Sequence, residues 1–156
     1  RGELERLAAA RPLLHRLLTE PGLTTPLWER ELGHPLLARQ TIDRVPEGWS
    51  RLNRLFSPLH GLVEIARVQL PDACESWAHC RDPLGPWLAR AGFELQKRDL
   101  ELRALAPDEV RTHLHDALPA GSPIAYGRAY ILAVRNGDAT TISLPILEVF
   151  LPPGGR

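Results

Sequence analysis

The spacing of apolar residues changes period along this 156-residue chain. In residues 2–19, Leu4, Leu7, Leu14 and Leu17 fall near one stripe of a helix. Pro12 interrupts that stripe, so the pattern predicts two helical pieces rather than one. Pro21-Gly22 ends the second piece. Thr24 or Thr25 then caps a short helix, with Pro26 in its first turn and Gly33 closing it. From residue 34 onward the period shortens toward two. Strands are predicted at 34–45, 50–57 and 62–70, the last two joined by Pro58-Leu-His-Gly61 as a hairpin. In the strand at 62–70, Arg67 shares a face with Val63 and Ile65. Short helical turns follow at 73–79 and 86–90, with Asp82-Pro-Leu-Gly85 between them.

Residues 93–102 alternate with Phe93, Leu95, Lys97, Asp99 and Glu101 on one side, the pattern of an edge strand or one with a wet face. A helix is predicted over 107–118, with Asp108 and Glu109 placed where the helix dipole favours them. Long strands at 124–135 and 140–151 flank Asn136-Gly137-Asp138, a hairpin signal. There is no internal repeat and no linker. The order implies one α+β domain over 1–156, a mainly antiparallel sheet with helices on one face.

The last strand organises this picture. From Thr141 to Leu151 it carries one charge, Glu148. Leu144, Ile146 and Phe150 share the face of Glu148, and Leu147, Val149 and Leu151 form the other. A strand apolar on both faces is covered on both. A carboxylate within it loses hydration and needs a partner, or its proton affinity rises.

Composition narrows the function classes. Lys+Arg and Asp+Glu are 19 each, so no net field draws in nucleic acid or an anionic membrane. Neither a signal sequence nor a membrane-spanning stretch is expected. Cys74 and Cys80 match neither a zinc knuckle nor a redox pair, and reduced thiols of a cytoplasmic protein are expected. The six histidines are scattered, so no metal site is expected, and no Gly-rich phosphate loop or nucleophile elbow is present. What remains is a set of arginines in strands. Arg54, Arg67 and Arg128 each sit among apolar neighbours and, with Glu148, suggest a pocket for a dianionic ligand. Lys97 is the only lysine.

Several segments, in order, resemble the bacterial chorismate pyruvate-lyases, the 4-hydroxybenzoate synthases. Leu147-Glu-Val-Phe-Leu-Pro152 is similar to that family's closing motif. Pro83-Leu-Gly85 with Leu88 resembles its Pro-Leu-Gly-x-x-Leu, and Tyr126-Gly-Arg128 its Trp-Gly-Arg. Ala66-Arg67 with Pro71 resembles its Gly-Arg-Thr-Val-Val-Pro, and Gly22-Leu-Thr24 its Ser-Met-Thr flap. The resemblance runs from about Leu14 to Pro152 and implies an antiparallel sheet with helical flaps over a buried ligand.

Residue by residue, the resemblance implies that Arg54 grips the ring carboxylate of chorismate. Glu148 meets the ring hydroxyl and the carbon that loses a proton, and Leu23 and Leu84 offer backbone amides inside the flaps. Arg67 or Arg128 stabilises charge on the departing enolpyruvate. It implies a cofactor-free lyase, a monomer whose partners are the substrate chorismate and the product 4-hydroxybenzoate, with no nucleic acid. Pro86, directly after Gly85, and the helix at 107–118 depart from the family pattern. A ligand-sensing domain of the same fold, or a related enzyme acting on another carboxylic acid, is the alternative.

Overall fold

The computed structural model describes residues 2–116, 118, 121–137 and 140–156. The first helical pattern divides as Pro12 requires, into α1 (Gly2–Ala10) and α2 (Pro12–Thr19). Arg11 between them leaves the helical region at φ −139°, and Pro12 opens α2, where its missing N–H costs nothing. Helix α3 (Thr24–Leu32) ends at Gly33, which takes the left-handed conformation of a C-cap. The expected threonine cap does not form. Leu23 is the N-cap residue and offers no side-chain bond, while the Thr24 hydroxyl donates instead to Glu64 Oε1, 2.9 Å away.

Among the described residues, six strands form one antiparallel sheet: β1 (Leu37–Val45), β2 (Gly48–Ser57), β3 (Gly61–Pro71), β4 (Glu94–Leu105), β5 (Ala125–Arg135) and β6 (Ile142–Phe150). Their order across the sheet is β1-β2-β3-β6-β5-β4, so the last strand in sequence lies at its centre. Helices α4 (Glu75–Ala78) and α5 (Leu84–Arg90) fill the connection from β3 to β4, and α6 (Pro107–Leu114) the one from β4 to β5. Strand β4 runs to Leu105, beyond the expected 102, because a bulge between Arg98 and Glu101 resets its pairing with β5. Asp99 there takes φ 56°. Helix α6 stops at Leu114 rather than 118, since His115 turns left-handed at φ 52°. Ala117 of that expected helix, and Asp138 of the hairpin turn, lie outside the described residues.

Two local features fix β6 in place. Its ladder to β3 runs from Ile146 to Phe150 and stops beside Pro145, which has no N–H to donate. On the other side Gly127 of β5 lies opposite Val149. A Cβ there would stand 2.1 Å from the Glu148 carbonyl oxygen, so only glycine permits this approach.

One sheet face carries Leu55, Val68, Leu132, Leu144, Ile146 and Phe150. Helices α1–α3 cover one end of it and α4 and α5 the other. The opposite face carries Leu52, Ile65, Leu105 and Val149, against which α6 places fully buried Val110 and Leu114. Helices therefore cover both faces, a correction to the one-sided arrangement expected from element order. The apolar residues on both sides of β6 require it: burying a side chain such as Val110 or Leu114 is worth about 1.5–3 kcal/mol, and α6 supplies the cover.

Candidate active site

The centre of the site is one row of residues across three strands. Ala66 of β3, Glu148 of β6 and Arg128 of β5 are in register. Ala66 is small and leaves space beside the carboxylate. Arg128 is fully buried, and its Nε donates to Glu148 Oε1 at 2.8 Å. One terminal nitrogen, Nη1, donates to the carbonyl of Glu20 at 2.7 Å and to that of Leu18, in the last turn of α2, at 3.4 Å. A cation at a helix C-terminus complements the dipole. The other terminal nitrogen, Nη2, is buried and has no hydrogen bond among the described residues.

Glu64 sits one same-face step from this row, opposite Phe150. It is buried, and its Oε1 accepts hydrogen bonds from the Thr24 hydroxyl and the Trp28 indole N–H, each at 2.9 Å. Burial first, and then the negative charge of Glu148, push its pKa up to about 8. Lys97 shows the converse: burial and then the charge of Arg128 bring it down to about 8. Its ammonium donates to the carbonyls of Glu20, at 3.2 Å, and Gly22, at 2.5 Å, and lies 5.1 Å from the centre of the Tyr130 ring. Burial, followed by the Glu148 charge, raises the Tyr130 pKa and holds the phenol protonated.

Glu64, Glu148, Lys97, Tyr130, Asn53 and Ala66 line a cavity of about 90 Å³. Its roof is made by the chain at Leu23–Thr25 and at Pro83–Pro86. The two roof segments touch: a Cβ on Gly85 would lie 2.6 Å from Leu23 Cδ2, so the glycine makes room for the leucine. Cations anchor both segments from below. Lys97 and Arg128 hold the carbonyls leading into the first. Arg51, fully buried on β2, holds the carbonyls of Trp77, Ala78, Cys80 and Asp82 leading into the second, and also donates to Asn53 Oδ1.

Of the residues singled out in the sequence, Leu23, Leu84 and Glu148 meet at this cavity, and Arg128 stands directly behind Glu148. Arg54 and Arg67 do not join them. Both project from the opposite face, as the alternation of β2 and β3 dictates. Arg54 forms a 2.6 Å ion pair with Asp116 and a 3.0 Å hydrogen bond to the Thr41 hydroxyl. Arg67 donates to the His113 carbonyl at 2.9 Å. Together they fasten the end of α6 to the sheet. Beside Arg67 lies an open groove of about 430 Å³, which Glu109 and His113 also line.

Sequence reading missed Glu64, Lys97, Arg51 and Asn53. Signals existed for two of them. Glu64 is a carboxylate between Val63 and Ile65 in a predicted strand, the same anomaly that drew notice to Glu148, and Lys97 is the sole lysine of an arginine-rich chain. Arg51 and Asn53 lie one residue either side of Leu52 in a strand whose inward face could not be assigned from its mixed pattern. Among the described residues, no group of three His, Cys, Asp or Glu side chains is placed to hold a metal ion, and no helix is long and apolar enough to cross a membrane. No protein-family model, curated protein or solved structure matches this chain.

Proposed function

We propose that the chain is a cofactor-independent lyase that eliminates pyruvate from chorismate to give 4-hydroxybenzoate. The observation that carries this reading is a carboxylate, Glu148, at the wall of a roofed cavity beside a second carboxyl group, Glu64, that keeps its proton near neutral pH. Chorismate already contains a cyclohexadiene ring. Removing one ring proton and the enolpyruvyl ether makes the ring aromatic, so the driving force lies in the substrate. The protein's part is to bind two carboxylates, exclude water and place a base.

Glu148 is the proposed base, or the group that orients the ring hydroxyl. Lys97 and the uncapped first turn of α3, which begins at the cavity, supply positive potential for a carboxylate. The backbone at Leu23 and Leu84 lies in the two roof segments. The remote Arg54 leaves ligand binding to these nearer groups. The present cavity has about the volume of three waters, and one near 150 Å³ takes a benzene ring. A substrate ring therefore enters by lifting Leu23 away from Gly85, and release of product needs the same motion.

Incubating the protein with chorismate tests the reading. We expect 4-hydroxybenzoate by absorbance and an equal amount of pyruvate by a coupled assay; absence of both removes it. A second reading, a ligand-binding domain without turnover, is favoured by the Arg128–Glu148 pair, which a structural role also accounts for. In that case calorimetry detects 4-hydroxybenzoate binding while chorismate stays intact.

A further inference from the structure

We propose that Glu64 is the second acid–base residue of this site, holding one proton in common with Glu148 and donating it to a hydroxyl or ether oxygen of the ligand. The geometry rests on three features. Glu64 and Glu148 are diagonal neighbours on one face of β3 and β6, and both line the same cavity. The hydrogen bonds that Glu64 accepts from Thr24 and Trp28 both fall on Oε1, and the residue is only 4% exposed. Glu148 has one oxygen, Oε1, held by Arg128. A protonated carboxyl group at the wall of the cavity is a donor for whatever occupies it.

The charged and titratable groups around Glu64 agree with a single shared proton. Helix α3 brings only the neutral donors Thr24 and Trp28. Strand β6 brings Glu148, β5 brings Arg128 and Tyr130, and β4 brings Lys97, while α5 contributes only apolar Leu84. Arg128 is engaged with Glu148 and with backbone carbonyls, and Lys97 with the carbonyls of Glu20 and Gly22. Among the described residues, no cation donates a hydrogen bond to Glu64. Two carboxyl groups that line one cavity and feel each other's charge titrate as a pair, one group ionised and one not.

The catalytic half of this inference rests on the lyase reading above. In it, Glu148 takes the ring proton, and the C–H electron pair becomes part of the aromatic ring. The ether C–O bond breaks with its electrons on oxygen, and that oxygen takes the proton of Glu64. The product enol tautomerises to pyruvate. Glu148 now holds one proton and Glu64 none, so passing that proton across the cavity restores the resting pair with no net uptake or release.

The test is a carbon-13 titration of protein labelled at its glutamate carboxyls, in wild type, Glu64→Gln and Glu148→Gln, together with turnover of chorismate. Gln keeps the oxygen that accepts from Thr24 and Trp28, and Glu148→Gln reads the pair should Glu64→Gln fail to fold. One wild-type carboxyl should titrate near pH 8, vanish in Glu64→Gln and move down in Glu148→Gln. Turnover by Glu64→Gln should fall roughly 10²–10⁴-fold and lose the decline that wild type shows as Glu64 ionises. The proposal is overturned by any of three results: no glutamate titrating above about pH 6, a Glu64 titration indifferent to Glu148→Gln, or wild-type turnover by Glu64→Gln. Wild-type protein that shows the shared titration but makes no 4-hydroxybenzoate sinks the substrate named above and upholds the shared proton.

Discussion

Glu148 serves two purposes, which a pair of variants separates. It neutralises Arg128, which is fully buried and whose Nη2 has no hydrogen bond among the described residues, and it faces the cavity. Glu148→Gln leaves the arginine charge uncompensated, and breaking a buried pair from one side costs about 3–5 kcal/mol. Urea unfolding should show that loss. The double variant Glu148→Gln/Arg128→Met should regain part of it, with a coupling of about 1–3 kcal/mol in the cycle. Both variants should also turn over chorismate roughly 10²–10⁴-fold more slowly if the carboxylate is the base. A Gln variant as stable as wild type would mean that Arg128 does not depend on Glu148.

At the level of elements, the cations of this protein work as fasteners. Arg51 and Arg128 gather backbone carbonyls at the ends of α4 and α2, and thereby set the two roof segments over the cavity. On the far face Arg67 holds the His113 carbonyl at the end of α6, and Arg54 holds the Asp116 carboxylate just beyond it. Such bonds satisfy carbonyls that a helix end leaves open. Arg54→Ala should therefore speed hydrogen exchange of amides in residues 107–114, while calorimetry shows affinity for 4-hydroxybenzoate within about twofold of wild type, the range of a surface change of up to 0.5 kcal/mol. A large loss of affinity with α6 exchange unchanged would return Arg54 to the ligand site.

For the molecule as a whole, the buried pair sets how stability depends on pH. Folded Glu64 keeps its proton to about pH 8, whereas an unperturbed carboxyl releases it near 4.5. Between those values the folded state binds more protons, so stability falls as pH rises. Lys97 acts in the opposite sense at higher pH. Its folded amine gives up a proton near 8 and the unperturbed one near 10.5, so its contribution rises between them. Unfolding free energy followed across pH should decline toward pH 8 and then level or recover. Glu64→Gln should flatten the decline, and an unchanged slope in that variant would assign it to other groups.

The sequence by itself determined the elements. Pro12 divided the first helix, Gly33 ended the third, and runs of strand-forming residues bounded by turn residues marked the strands, because these depend on dihedral limits and side-chain direction within a few residues. The two apolar faces of β6 likewise foretold cover on both sides, against the one-sided layering read from element order. Which side chains meet was a tertiary matter. Arg54 and Asn53 are adjacent in sequence and point to opposite faces; only the packing of α3 and α5 against one face and α6 against the other decided which of them borders the cavity. Glu64 and Glu148 are far apart in the chain and become neighbours through the β3–β6 register. Their shared environment exists only once the sheet and its roof exclude water, because a carboxyl group's proton affinity follows its surroundings in space and not its place in the sequence.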